Sequence, residues 1–237
     1  VLDVKVGSGA FMKTEEDGRR LAEGMVRIGK HCGRNVIAVL SNMDIPLGYC
    51  VGNALEVQEA VEILHGRGCE DLRGVCMELA VNMLRLCNGW DRETAQTRVR
   101  EVIASGEAFR QMKRWVGTQG GDASVLDDVS RLPQATVRYE LLSPVSGFIG
   151  HMDAQKIGEA SALLGAGRRT KEDAIDLSAG IVLKKKTGDY VEAGQPLAIL
   201  HTNRERALAP AQAEFLSALS WTQQAPQKQK LILGIVE

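Results

Sequence analysis

Residues 1–41 spell out a strand, a helix and a second strand, and this order restricts the fold more than any other stretch of the chain. Val1, Leu2, Val4 and Val6 make a short aliphatic run broken by Asp3 and Lys5, and Gly7-Ser8-Gly9 ends it. That pattern suits a strand followed by a tight loop. Thr14, then Glu15, Glu16 and Asp17, supplies a hydroxyl N-cap with acids in the first turn. Leu21, Met25 and Ile28 recur at helical spacing, and the helix should stop between Gly29 and Gly33. Residues 36–40, Val-Ile-Ala-Val-Leu, form an unbroken apolar run, too short for a helix and suited to a strand buried on both faces. Strand, helix and strand in so short a span predict a parallel pair with a right-handed crossover. Ligands gather at the carboxyl ends of such strands, where loops and helix N-terminal N–H groups converge, so the glycine loop is a candidate site wall. The same Gly-x-Gly also serves as a plain tight turn. It lacks the third glycine and the downstream acid of a dinucleotide fingerprint.

The chain beyond this unit reads as more helices and then short strands. Residues 42–49 form a loop, with Pro46 disfavouring helix at Ile45. A helix from about Asn53 places Ala54, Val57 and Val61 on one face, and puts Glu56 and Glu59 side by side, the arrangement of a solvated pair or of a small site. Helical spacing returns over residues 71–87 (Leu72, Val75, Cys76, Leu79, Met83, Leu86), 94–103 and 106–116, the last with Phe109, Met112 and Trp115 on its inner face. Such a methionine and aromatic stripe is core packing and carries no function here. The glycine- and aspartate-rich residues 119–135 form the best internal boundary. After it come strands at 136–142, 147–152, 180–185, 190–191 and 196–201, a helix at 154–164, an amphipathic helix at 214–221 and a closing strand at 231–236. The prediction is an α/β chain: a βαβ-containing mixed sheet with flanking helices over 1–118, then a smaller α+β region of short strands, barrel-sandwich-like, over 136–237.

Composition narrows the classes. The 237 residues are 44% hydrophobic with a formal net charge of −1, enough to bury a core and without the basic excess that nucleic acid binding requires. No apolar run approaches the roughly 20 residues that span a bilayer, and no leader is visible, so a cytoplasmic protein without membrane partners is expected. Cys32, Cys50, Cys69, Cys76 and Cys87 include no C-x-x-C pair, which argues for reduced thiols and against zinc. The four histidines are scattered. Gly165-Ala166-Gly167-Arg168-Arg169-Thr170 fits a helix stop with charges favourable to the dipole more readily than a phosphate cradle, though both chemistries suit those residue types. The chain opens at Val1 in mid-strand, as the carboxyl-terminal part of a longer protein would.

The wording of several segments goes further than their spacing. Leu2-Asp3-Val4-Lys5-Val6-Gly7-Ser8-Gly9-Ala10-Phe11-Met12, Leu47-Gly48, residues 51–57 (Val-Gly-Asn-Ala-Leu-Glu-Val), Gln119-Gly120-Gly121-Asp122, residues 164–168, Asp173-Ala174-Ile175-Asp176 and Gly188-Asp189-Tyr190-Val191 resemble, in order, motifs of the pyrimidine-nucleoside phosphorylases, which include thymidine phosphorylase. The likeness runs over nearly the whole chain. It implies the carboxyl-terminal part of a homodimeric enzyme that cleaves thymidine or uridine with inorganic phosphate as co-substrate, giving free base and a pentose 1-phosphate, without an organic cofactor. It also implies that Phe11 lines the base pocket. A potassium ion would take the carbonyl oxygens of Leu47 and Cys50 and the carboxylate of Glu59, all oxygen donors as a hard cation prefers; the residue at Cys50 is often alanine in the family, which a backbone ligand tolerates. The family's phosphate loop and main base-binding side chains precede the segment matching Val1. No catalytic residue is therefore expected in this chain, Asp3 and Lys5 are expected to pair rather than to react, and a noncatalytic assembly or binding module is the alternative. Residues 143–147 and 186–197 also resemble the strand and turn pattern of lipoyl and biotinyl carriers, but residues 199–204, where the carrier lysine would stand, contain none.

Overall fold

The computed structural model describes residues 1–168 and 170–237, in two compact units. The first comprises Val1–Leu47, Glu62–Met112 and Gln229–Glu237, and the second Gly48–Val61 and Lys113–Lys228.

In the first unit, β1 (Leu2–Val6) and β2 (Ala38–Asn42) pair in parallel from Leu2 opposite Ala38 to Val6 opposite Asn42, joined by α1 (Glu15–His31). The Thr14 hydroxyl accepts from the Asp17 amide and caps α1. β2 starts two residues later than the apolar run predicts, but Ala38, Val39, Leu40 and Ser41 are fully buried, as a central strand requires. The inner face of α1 differs from the expectation. Gly18, Ala22 and Val26 are buried, whereas Leu21, Met25 and Ile28 are exposed, Ile28 by 65%. A side chain at Gly18 would run into Val6, so the helix meets the sheet through its small residues.

α2 (Asn53–Leu64), α3 (Glu70–Asn88), α4 (Arg92–Ala104) and α5 (Glu107–Thr118) follow after the two-residue strand β3 (Cys50–Val51). Val81, Ala95 and Val99 form the seam of α3 with α4, tightened by Arg92 donating to both Glu78 carboxylate oxygens. The α5 stripe is only partly an inner face: Phe109 and Met112 are half-buried, the Phe109 ring centre lying 4.2 Å from that of His65, whereas Trp115 is 59% exposed.

The second unit contains β4 (Val137–Leu142), β5 (Gly147–Met152), α6 (Ala154–Leu164), β6 (Gly180–Leu183), β7 (Tyr190–Val191), β8 (Pro196–Thr202), α7 (Leu208–Ser217) and β9 (Leu219–Thr222). One sheet runs β3-β6-β8-β4 and another β7-β5-β9, and both contribute to a single core with α6 and α7, including Ile149, Ile157, Leu164, Ile181, Leu200 and Phe215. The predicted amphipathic helix at 214–221 is corrected. α7 begins at Leu208, with Pro210 tolerated in the first turn, and residues 219–222 form a strand against β5 instead. β10 (Ile232–Val236) returns to the first unit and pairs antiparallel with β2, completing a mixed sheet of order β1-β2-β10. Among the described residues no helix is long and apolar enough to cross a membrane.

Candidate functional site

Two loops hold the residues singled out by the sequence, one in each unit. The first is the turn after β1. Gly7 lies at φ 129°, and a side chain there would overlap the backbone of Asp44. Its N–H donates to the Met12 carbonyl at 2.9 Å and its carbonyl accepts from Ala10 at 3.0 Å, which folds residues 7–12 back on themselves. The loop after β2 fastens it from the side. Ser8 donates through its amide to the Asp44 carboxylate at 3.2 Å and through its hydroxyl to the Asp44 carbonyl at 2.8 Å, while Gly9 donates to the Met43 carbonyl at 3.0 Å. The Asn42 side chain accepts from the Asp44 amide and donates to Gln229. On this tied-down loop Phe11 stands 97% exposed at the carboxyl ends of two parallel strands.

Asp3 and Lys5 project from β1, with Lys5 Nζ 2.6 Å from Asp3 Oδ2 and the buried Ser41 hydroxyl donating to Asp3 Oδ1. All three groups satisfy one another, the expected pairing.

The second loop, in the other unit, wraps Glu59. Its carboxylate accepts from the amides of Tyr49 at 2.7 Å and Cys50 at 3.2 Å, and Gly48 lies so close that a side chain there would overlap Glu59 Oε2. Glu56 likewise turns back, accepting from Gly52 N–H at 2.9 Å. The two acids are thus anchored to backbone, and the solvated pair is only part of the picture. Cys50 pairs with Val182 in the antiparallel β3–β6 ladder, and Leu183 donates to the Tyr49 carbonyl at 2.7 Å. Polar groups of neighbouring residues in a ladder point to opposite sides. Cys50 directs its N–H toward Glu59 rather than toward β6. Burial pushes the Cys50 thiol up to about 12, with Glu59 and Glu56 adding to the shift. Leu47 closes the first unit, whereas Cys50 and Glu59 belong to the second. Among the described residues no three His, Cys, Asp or Glu side chains converge on a metal position, so the oxygen donors of this loop are backbone and a single carboxylate.

Two residues here escaped the sequence reading. Asp44 sat in a segment read only as loop, although Asn42-x-Asp44 is a turn signal. Lys186 sat in a hairpin read as carrier-like. Its side chain is 8% exposed, and Nζ donates to the Gly48 carbonyl at 2.9 Å and stands 5.1 Å from the Tyr49 ring centre. Gly165 closes α6 as its left-handed C-cap, the helix-stop reading of that segment, while Arg169 lies outside the described residues.

A family model described as "Glycosyl transferase family, a/b domain" matches residues 1–109, and one described as "Pyrimidine nucleoside phosphorylase C-terminal domain" matches residues 148–221. Proteins named pyrimidine-nucleoside phosphorylase from Bacillus subtilis (strain 168) and from Staphylococcus aureus (strains USA300 and N315) are 49% identical to the chain over 206 residues. The aligned part is 86% of this chain and 48% of each relative, so the chain spans about half the length of the curated relatives it matches.

Proposed function

Since the chain belongs to the pyrimidine-nucleoside phosphorylase family, we propose that it forms the carboxyl-terminal part of an enzyme that splits uridine or thymidine with phosphate. A phosphate oxygen bonds to the anomeric carbon as the glycosidic C–N bond breaks; the electron pair leaves with the base, which takes up a proton, and pentose 1-phosphate remains. Such a displacement needs no nucleophilic side chain. It needs cations about the phosphate and a surface that holds the base in line. The observation that carries the proposal for this chain is Phe11, an aromatic ring almost wholly exposed on a loop fixed by Gly7, Ser8 and Asp44. An exposed ring on a fixed support suits the flat face of a pyrimidine. Asp3 and Lys5, already paired, take no part in bond breaking.

The reading extends to a potassium ion on the Cys50 carbonyl and the Glu59 carboxylate, with the Leu47 carbonyl as the remaining donor. The donors suit a hard monovalent cation, because all are oxygens and the Glu59 carboxylate keeps lone pairs beyond its two N–H bonds. A cytoplasmic homodimer, with a phosphorylase α/β domain over 1–118 and a carboxyl-terminal domain over 136–237 joined by 119–135, completes the proposal. The test is phosphorolysis of uridine and thymidine by the 237-residue chain and by the same chain extended with the residues encoded upstream. Activity in the longer protein alone is the expected result. Turnover by the 237-residue chain would show that it already holds the phosphate and base sites, and inactivity of both would reject the enzyme reading.

A further inference from the structure

Lys186 has no place in the phosphorolysis proposal, yet it is among the few buried charged groups of the second unit. Lysines are almost never buried to this degree unless paired. Its stem issues from the turn after β6, where the Lys184 and Lys185 amides donate to the Leu197 carbonyl and the Lys186 amide donates to Asp189 Oδ2 at 2.8 Å. The ammonium is thus delivered by a braced hairpin onto the Gly48 carbonyl and the face of Tyr49. Those two residues belong to the loop whose next amides, Tyr49 and Cys50, hold Glu59. The half-buried Glu59 carboxylate, held by two backbone N–H groups, brings a negative charge to this loop that a nearby cation complements, and an ammonium is a compact point charge that donates to carbonyl oxygens where a potassium ion would coordinate them.

We propose that Lys186 is a tethered cation of the 48–50 loop, a positioning residue that supplies from within the chain part of the charge a free monovalent ion would bring, and so limits how strongly the loop depends on potassium. For the identity of the ion this rests on the potassium reading above. Removing the ammonium transfers its share of the work to ions in solution.

The experiment is thermal unfolding and refolding yield of the 237-residue chain and of its Lys186→Met variant at one ionic strength, in choline, lithium, potassium or ammonium chloride. For the native chain, exchange of choline for potassium should move the midpoint by about 1 °C or less. Lys186→Met should fall by about 4 °C or more in choline and lithium, a loss of order 1 kcal/mol or above for a chain this size. It should recover at least half of that in potassium and in ammonium, since an ion that binds only the folded form raises its stability. Adding Glu59→Gln should abolish the recovery. An equal loss in all four salts, including failure to refold in any of them, would overturn the proposal, as would a potassium response as large in the native chain as in the variant. No nucleoside enters this measurement, so it is decided apart from the phosphorolysis test.

Discussion

Phe11 and Gly7 divide one loop between display and support. Phe11 is almost wholly exposed, so Phe11→Ala should leave the urea unfolding free energy within about 0.5 kcal/mol of the native value. In the extended, active protein the same change should raise KM for the nucleoside about tenfold, the equivalent of ~1.4 kcal/mol, with a smaller effect on kcat. Gly7→Ala should do the reverse at the level of folding, costing about 1–3 kcal/mol in the same urea titration, because a side chain at φ 129° is strained and meets Asp44 backbone that cannot yield. Cys50 offers a third check. With its thiol held near 12 by burial and by the neighbouring glutamates, it should resist a thiol reagent at pH 8 in the folded protein, while the exposed Cys32 and Cys87 react. Mass mapping of the labelled cysteines reads this directly. At this scale the sequence was legible where neighbouring residues fix the partner, as for the Thr14 cap of α1 and the Asp3–Lys5 pair. It was not legible for Asp44 or Lys186, whose partners stand 36 and 138 positions away and depend on how loops close.

Among the elements, periodicity located α1, α6, β5 and β7 well, because caps and glycines bracket them: Thr14 and Asp153 accept N-terminal amides, and Gly165 stops α6. Periodicity failed on which face is buried. In α1 bulk points outward and small residues point inward, since a helix laid close on a parallel pair has room for Gly18 and Ala22 but not for Leu21. It failed again at 219–222, where the wish of β5 for a second neighbour overrode a plausible helical continuation. β8 carries a pH signature of its own. His201 is buried opposite Arg138 in the β4–β8 ladder, and burial first, then the charges of Arg138 and Lys184, hold its imidazole below the usual histidine range. The unfolded chain then takes up this proton at a higher pH than the folded one. The contribution of neutral His201 is present above about pH 6.5 and is lost progressively as pH falls below that toward the lower value of the folded form. Urea midpoints should decline between pH 7.5 and 5.5, and His201→Gln should flatten that decline.

For the molecule as a whole, motif order along the chain told more than composition did. Charge near zero and cysteines without a C-x-x-C pair argue against nucleic acid and zinc without pointing to any reaction, whereas the ordered motifs gave a family that the matches to residues 1–109 and 148–221 support. That residues 229–237 belong to the first unit was beyond reach of any local pattern, because it rests on β10 finding β2 from a distant part of the sequence. That strand has a consequence for biosynthesis. On the ribosome, β1, α1 and β2 emerge early with one flank of β2 unfilled, and every residue of the second unit must be made before Ile232–Val236 arrives to fill it. Until then the nascent sheet presents an open, apolar edge to the crowded cell. Residues 232–236 thus act as a latch, and a chain cut short just before Ile232 would keep both strands of the parallel pair yet stay permanently unfastened on that flank.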